Sequence, residues 1–376
     1  MQKKLIALAL ASLSSAAFAD ATNVTIYGVA DATFDVIRIS DNATNTPNFN
    51  RVSTNGSHIG FRGTENLGNG LSAIFQFESE ANFDQNSSLA LNRDSFVGLT
   101  GGFGKIMLGT LTGPSNAFAA SLDVNTGDNI SSNTAILGKL GGTNAANGFR
   151  SISSGSSWDT RFQNAVAYVS PSFSGLQATG LYVANETKDE NPGFEVKPSL
   201  FDLGLTYTNG PIMVGTTYAR QRDSGVADEK DTEFRIGGMY DFGMASVRAL
   251  YGRTKFETAG YEAKQNTWGI GGTYNVTANG KLVSQYYVAR DVKENGVDLN
   301  ETGAALFTIG YEHNLSKRTM LKAGYARVAN DDNTNGYDFG YNASGFAGNG
   351  FTSAGPALPG SGFTASGFQF GVRHAF

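Results

Sequence analysis

The sequence predicts an all-β protein, a transmembrane antiparallel β-barrel of sixteen strands. Three observations carry that prediction: apolar and polar residues alternate with the period of a strand, the links between strands alternate short and long, and the N-terminus reads as an export signal. At that N-terminus Lys3 and Lys4 precede an apolar run from Leu5 to Leu13. Ala17-Phe18-Ala19 then forms a small-residue cleavage site before Asp20. This is the pattern of a secretory signal peptide over 1–19, too short to span a bilayer as a helix. Residues 20–376 remain as one domain.

The chain holds 28 Lys and Arg against 33 Asp and Glu, a net charge of −5, and loss of Lys3 and Lys4 with the leader takes it to −7. An acidic exported protein without a basic stripe gives no reason to expect nucleic acid. Cysteine is absent, so stability must come from extensive pairing rather than disulfides. Mean hydropathy is −0.22, and past the leader no apolar run approaches the length of a membrane helix. A barrel hides its membrane signal in this way, because every lipid-facing residue is followed by a lumen-facing one. The 48 Gly, 15 Tyr and 26 Phe against 8 Pro fit many strands joined by tight turns.

Taken in order, the first strand is Val24–Val36. Val24, Ile26, Gly28, Ala30, Ala32, Phe34 and Val36 share one face, and Thr25, Tyr27, Asp31, Thr33 and Asp35 lie on the other. In Leu71–Phe77, Leu71, Ala73, Phe75 and Phe77 oppose Ser72 and Gln76, with Ile74 as the exception, and Glu78 and Glu80 continue the polar side. Near Arg161, Phe162, Val166 and Tyr168 share a face that excludes Arg161 and Gln163. Further runs lie at about 199–208, 211–220, 232–241, 244–255, 265–276, 280–291, 304–313 and 319–329. The last strand places Phe368, Phe370, Val372, His374 and Phe376 toward lipid, with Gln369, Gly371, Arg373 and Ala375 opposite. It should close the barrel against the first strand, with Phe368, Phe370, Val372 and Phe376 serving assembly.

Short links rich in Gly, Asn, Pro and Asp fall at 65–70, 100–103, 171–175, 209–211, 241–243, 276–280 and 314–317. Long polar links fall near 39–52, 84–91, 111–158, 185–198, 221–231, 256–264, 292–303 and 330–363. Seven short and eight long links join sixteen strands and leave both chain ends on the short-turn side, as closure of an even-stranded barrel requires. A hairpin hidden in 330–363 would raise the count to eighteen. A β-sandwich would not send so many aromatics to one side, and a β-helix would show a fixed repeat.

Several segments are similar to those of general bacterial porins of the β-proteobacterial type. They are Val24-Thr25-Ile26-Tyr27-Gly28-Val29-Ala30-Asp31, Gly60-Phe61-Arg62-Gly63-Thr64-Glu65-Asn66-Leu67-Gly68-Asn69-Gly70-Leu71, Asn92-Arg93-Asp94-Ser95-Phe96-Val97-Gly98-Leu99 with Gly101-Gly102-Phe103-Gly104, and the terminal Gly371-Val372-Arg373-His374-Ala375-Phe376. The resemblance implies a homotrimer in outer-membrane lipid, each barrel a water-filled channel for passive diffusion of ions and small hydrophilic solutes. It also implies that the long third loop, 111–158, folds into the lumen and narrows it. Arg62 and Arg161 match family positions associated with that constriction. Where relatives often carry Arg, this chain has His58 and Thr110, so anion preference does not carry over by resemblance.

Arg62 and Arg161 are therefore candidates to line the pore or to tie the loop to the wall, with Arg93 on a strand of ambiguous parity. Asp123 and Asp128 of the loop are candidates for the opposing charge, and Glu78 adds a negative charge on the inner face. The alternatives are a solute-specific channel, which would show an aromatic track along the inner wall, and a barrel hydrolase. Only His58, His313 and His374 could serve a hydrolase as base, and of these only His58, with Ser57 or Ser53 as nucleophile, is conceivable, without support from the family resemblance. Asp331-Asp332-Asn333 reads as a solvated turn, so neither a metal nor a cofactor is expected.

Overall fold

The computed structural model describes residues 24–40, 48–84, 88–127, 129–140, 158–184, 198–222, 229–339 and 360–376. The signal peptide therefore lies outside the described residues, as do Asp128, Arg150 and all of 340–359. In chain order the strands are β1 (Thr25–Ser40), β2 (Phe49–Thr54), β3 (His58–Gly68), β4 (Leu71–Glu80), β5 (Ser95–Gly101) and β6 (Gly104–Thr112). Helix α1 (Pro114–Leu122) and a 3-10 turn (Asn133–Ala135) follow. Then come β7 (Arg161–Val169), β8 (Leu176–Val183), β9 (Ser199–Asn209), β10 (Ile212–Arg222), β11 (Lys230–Asp241), β12 (Ala245–Thr258) and β13 (Tyr261–Asn275). The chain finishes with β14 (Gly280–Ala289), β15 (Lys293–Glu294), β16 (Val297–Asp298), β17 (Ala304–Asn314), β18 (Thr319–Asn330) and β19 (Thr364–Ala375).

Among the described residues these segments make a closed wall of 16 antiparallel strands. β2 and β3 are two pieces of one wall strand, both paired with β1, and β15 with β16 is a small hairpin within a link. The piece boundary is local: Gly56 adopts a left-handed φ of 66°, and Asn55 and Ser57 turn back to bond Asp31. Closure is enforced by the solvent, because hydrocarbon offers no partner for an unpaired strand edge. All seven expected short links are tight turns. Two expected long links are not simple loops: β12 and β13 run up to Thr258 and Tyr261, so 256–264 is mostly strand, and 292–303 contains the small hairpin.

The seam pairs β19 with β1 in the expected sense, Phe368 opposite Val36, Phe370 opposite Phe34 and Val372 opposite Ala32. Phe368, Phe370, Val372 and Phe376 are exposed on the outer face with Phe34, Phe61, Val97, Ile236 and Phe307. At the last residue Phe376 N–H donates to the Gly28 carbonyl (3.0 Å) and Gly28 N–H returns the bond (3.1 Å). Gly28 must lack a side chain there, since a Cβ would stand 2.5 Å from the Phe376 ring. Deleting Phe376 removes both bonds, so the yield of folded, SDS-resistant protein should drop while molecules that do fold keep their conductance. Unchanged folding yield on a semi-native gel would refute the seam role.

Inside, the wall is divided. From β10 round to β18 it presents apolar residues inward, Met213, Leu250, Tyr287, Leu306 and Val328, which pack on Phe118, Ala119, Leu122, Ile136 and Leu137 of the third loop. On β3 and β4 the inner face is largely polar, with His58, Arg62, Gln76 and Glu78, while β1 adds Ile37 and Ile39 to a buried cluster with Ile130 of the loop. The third loop thus lies along one half of the lumen. The described end of the last long link joins it: Tyr337 is buried in the same cluster, its hydroxyl donating to Gln265 (2.7 Å), and Phe339 packs alongside.

Candidate functional site: the pore constriction

The third loop leaves the wall at Gly113 and starts α1 with Pro114, whose fixed φ and missing N–H suit the first helical position. Pro114, Ser115, Phe118, Ala119 and Leu122 are its buried face, a helical spacing that a search for alternation passes over. The opposite face, toward open lumen, is small and neutral: Ala117, Ala120 and Ser121 are exposed and Asn116 half-buried. Below the helix the loop is fixed to the wall residue by residue. Asp202 accepts from the Ser115 N–H (2.9 Å) and hydroxyl (2.7 Å). Arg235 donates to the Ser115 carbonyl and pairs with Asp159 (2.6 Å) and Glu233 (2.8 Å). Gln285 bonds Val124 and Ser131, and Arg248 donates to the Asp123 carbonyl. Glu312, itself paired with Lys281 (2.9 Å), accepts from the Thr126 N–H (2.8 Å). Asp31 holds Lys322 (2.6 Å) and Arg373 (3.1 Å) beside Gly127.

Of the two loop carboxylates expected to oppose the arginines, Asp123 is turned inward on its own loop. Asp123 accepts from the backbone N–H groups of Asn133 (2.7 Å) and Asn125 (2.9 Å). Burial pushes its pKa above the ordinary carboxylate value, and those hydrogen bonds work against the shift. Asp128 lies outside the described residues.

The remaining candidates gather on the wall from β3 to β7, with Arg161 at the root of the loop, paired in register with Thr112. Glu78 is nearly buried and is the hub: Arg93 pairs with it at 3.0 Å, the Tyr27 hydroxyl donates to it at 3.2 Å, and His58 Nε2 lies 3.5 Å away. Arg93 sits in the link just before β5 and is held by this contact. Arg161 stands 3.6 Å from Asp94, whose carboxylate also accepts from Thr112. Arg62 differs from both. Its guanidinium lies 4.7 Å over the Tyr27 ring, and among the described residues it makes no ion pair.

One parity expectation is corrected here. Phe162 does not share a face with Val166 and Tyr168; it turns inward onto Trp158. The β6–β7 register shifts between Gly109 and Leu111, and Asn164 takes a φ of 56°, so an irregularity reverses the alternation at the strand end that carries Arg161. The sequence reading also overlooked Lys105, although Ile106 and Leu108 on the outer face fix its inward parity. Lys105 and Arg62 line a recess of about 580 Å³ with Thr25, Gln76 and Phe96. Asp202, Glu233 and Arg235 were likewise legible by parity, each alternating with an exposed apolar neighbour such as Leu203, Phe234 or Ile236.

The serines and the histidine considered for a hydrolase are each engaged elsewhere, the Ser53 hydroxyl donating to Asp35 (2.7 Å). The Ser57 hydroxyl donates to the Asp31 carbonyl (2.9 Å) and accepts from the Asp31 N–H (2.8 Å), while the His58 Nδ1 lies against the Gly56 carbonyl (2.9 Å). What the arrangement provides is a channel narrowed by a bound loop, with a neutral loop face and a charged wall.

Known proteins agree with that architecture. The Gram-negative porin family profile matches residues 5–333. Outer membrane porin protein 32 of Delftia acidovorans is 31% identical over 100% of both chains. Major outer membrane protein P.IB of Neisseria meningitidis serogroup B is 31% identical over 89% of this chain and 96% of its own. Among solved structures, the anion-selective porin from Comamonas acidovorans superposes with a TM-score of 0.73 at 26% identity, covering 95% of this chain and 100% of that one. With the loop-narrowed barrel and these relatives in view, the chain belongs to the Gram-negative porin family and is an outer-membrane channel for passive diffusion.

Proposed function

We propose that the channel favours small anions and that its selectivity is set on the wall from β3 to β7. The observation that carries this is the imbalance of compensated charge. Arg93 is neutralised by Glu78 and Arg161 by Asp94, while Arg62 and Lys105 face the lumen without a carboxylate partner among the described residues. Asp123 is engaged within its own loop and the exposed face of α1 is neutral. A fixed charge at a narrow, partly dehydrated point outweighs the same charge at a wide mouth, so the local surplus prevails over the chain's net negative charge. The relative from Comamonas acidovorans is itself described as anion-selective.

The reading includes removal of residues 1–19 on export and assembly as a homotrimer. The exposed apolar surface around the seam, with Phe34, Phe61, Phe77, Val97 and Phe370, is the face proposed for that contact.

Selectivity is measured as the reversal potential across a planar bilayer in a salt gradient. Arg62→Ala should move it toward cations by removing a bare charge, and Arg161→Ala should do so by exposing Asp94. If neither variant moves it, the arginines are not at the selective point. A general pore should also pass current unblocked by any one sugar at low concentration, and saturable block would favour a solute-specific channel.

A further inference from the structure

On the outer face of β9 to β13 the wall is dented. Gly238 and Ala249 leave a nearly apolar groove of about 510 Å³ walled by Leu205, Val214, Ile236 and Trp268, with Tyr251 above. The strand register puts Leu205, Thr216, Ile236, Tyr251 and Trp268 in one row across the sheet. Moving toward the long-link end, the outward residues change character. The next row contains Tyr218, Phe234 and Arg253, and the one beyond it Phe201, Arg220 and Lys255. Arg222 follows on the same edge of β10. At about 3.3 Å per residue, Arg253 is some 7 Å above the groove row and Arg220 about 13 Å.

The cations here are not all balanced. Lys230, Lys255 and Lys264 are held by Glu257 and Glu262 at 2.7 to 2.8 Å. The three arginines have no carboxylate partner among the described residues: Arg220 lies 4.9 Å over the Phe201 ring and Arg253 donates to the Asn266 side chain at 2.8 Å. An apolar slot on the outer wall, with guanidinium groups above it that no carboxylate among the described residues compensates, matches an amphiphile with acyl chains and an anionic phosphate headgroup. Guanidinium is well suited to phosphate, and cations near a membrane surface attract anionic lipid.

We propose that this face is a seat for an anionic phosphate-bearing lipid of the outer leaflet, its acyl chain in the groove beneath Tyr251 and Trp268 and its phosphate on Arg220, Arg222 and Arg253. The proposal is independent of the pore's selectivity, since all of these residues face away from the lumen.

Trp268 reports directly on the site. The chain has 2 tryptophans, and the other, Trp158, is fully buried inside the barrel. In a Trp158→Phe background the protein is refolded into phosphatidylcholine vesicles containing a small fraction of either brominated phosphatidylglycerol or brominated phosphatidylcholine. Quenching of Trp268 should show about a tenfold preference for the anionic lipid, as expected for several surface cations acting together. The preference should fall toward unity in an R220A/R222A/R253A variant whose conductance is unchanged. It should also shrink in 1 M salt, where the screening length is about 3 Å, a measurement that needs no arginine variant. Equal quenching by the two lipids, or a preference that survives both the triple substitution and high salt, overturns the proposal. Absence of quenching by either lipid also overturns it, because the groove would then be covered by a second copy of the chain.

Discussion

Replacing Arg235 with alanine is expected to destabilise the protein more than any other single change in the lumen. The side chain is fully buried, pairs with Asp159 at 2.6 Å and Glu233 at 2.8 Å, and donates to the Ser115 carbonyl at the start of α1. Removing one member of a buried charge network leaves the others without compensation, a loss of about 3–5 kcal/mol. Glu233 would retain only the Thr254 hydroxyl among these contacts, and Asp202 close by would lose a neighbouring cation. The midpoint of urea unfolding in detergent micelles checks the size of the effect. Single-channel recordings check its location, since a loop freed at its N-terminal anchor should add current noise. A midpoint equal to that of the parent would show that water entering the lumen compensates the carboxylates.

The largest functional change should follow from removing the loop itself. Gly113 N–H bonds the Thr160 carbonyl at 3.2 Å, so the two ends of the loop stand side by side on the wall. Excising 114–157 and closing the gap with a short Gly-Ser turn should therefore leave the strand ladders intact and raise single-channel conductance several-fold. The same variant exposes Leu250, Tyr287 and Leu306 to lumen water, so its thermal stability should fall as its conductance rises. Conductance equal to the parent's would mean that another link, such as the one holding Tyr337, sets the narrowest point.

The sequence by itself determined the wall. Alternation is a local property of a strand, and lipid on one side with water on the other selects it at every step, so Phe34, Phe61, Phe368 and Phe370 announce their face without reference to anything distant. Short and long links count the strands for the same local reason. Even the inward parity of Asp31 and Arg373, which meet at 3.1 Å, could be read from their own strands.

The tertiary structure decided what meets across the lumen. Asp31 and Arg373 are 342 positions apart, and Ser115 and Arg235 are separated by 120, so no window of sequence contains both partners. The loop's docking on β10 to β18 follows from inward apolar residues that look like errors of alternation until Phe118 and Leu122 are placed against them. That docking engages Asp123 with the backbone of its own loop and leaves the exposed face of α1 neutral; of the two carboxylates the sequence offered opposite Arg62 and Arg161, the other, Asp128, lies outside the described residues. The irregularity at Gly109 and Asn164 likewise altered the setting of Arg161, because one extra residue reverses every parity beyond it. Period-two patterning fixes which side of the sheet a residue is on, whereas charge compensation depends on which distant side chains the loop and the bulges bring within a few ångströms.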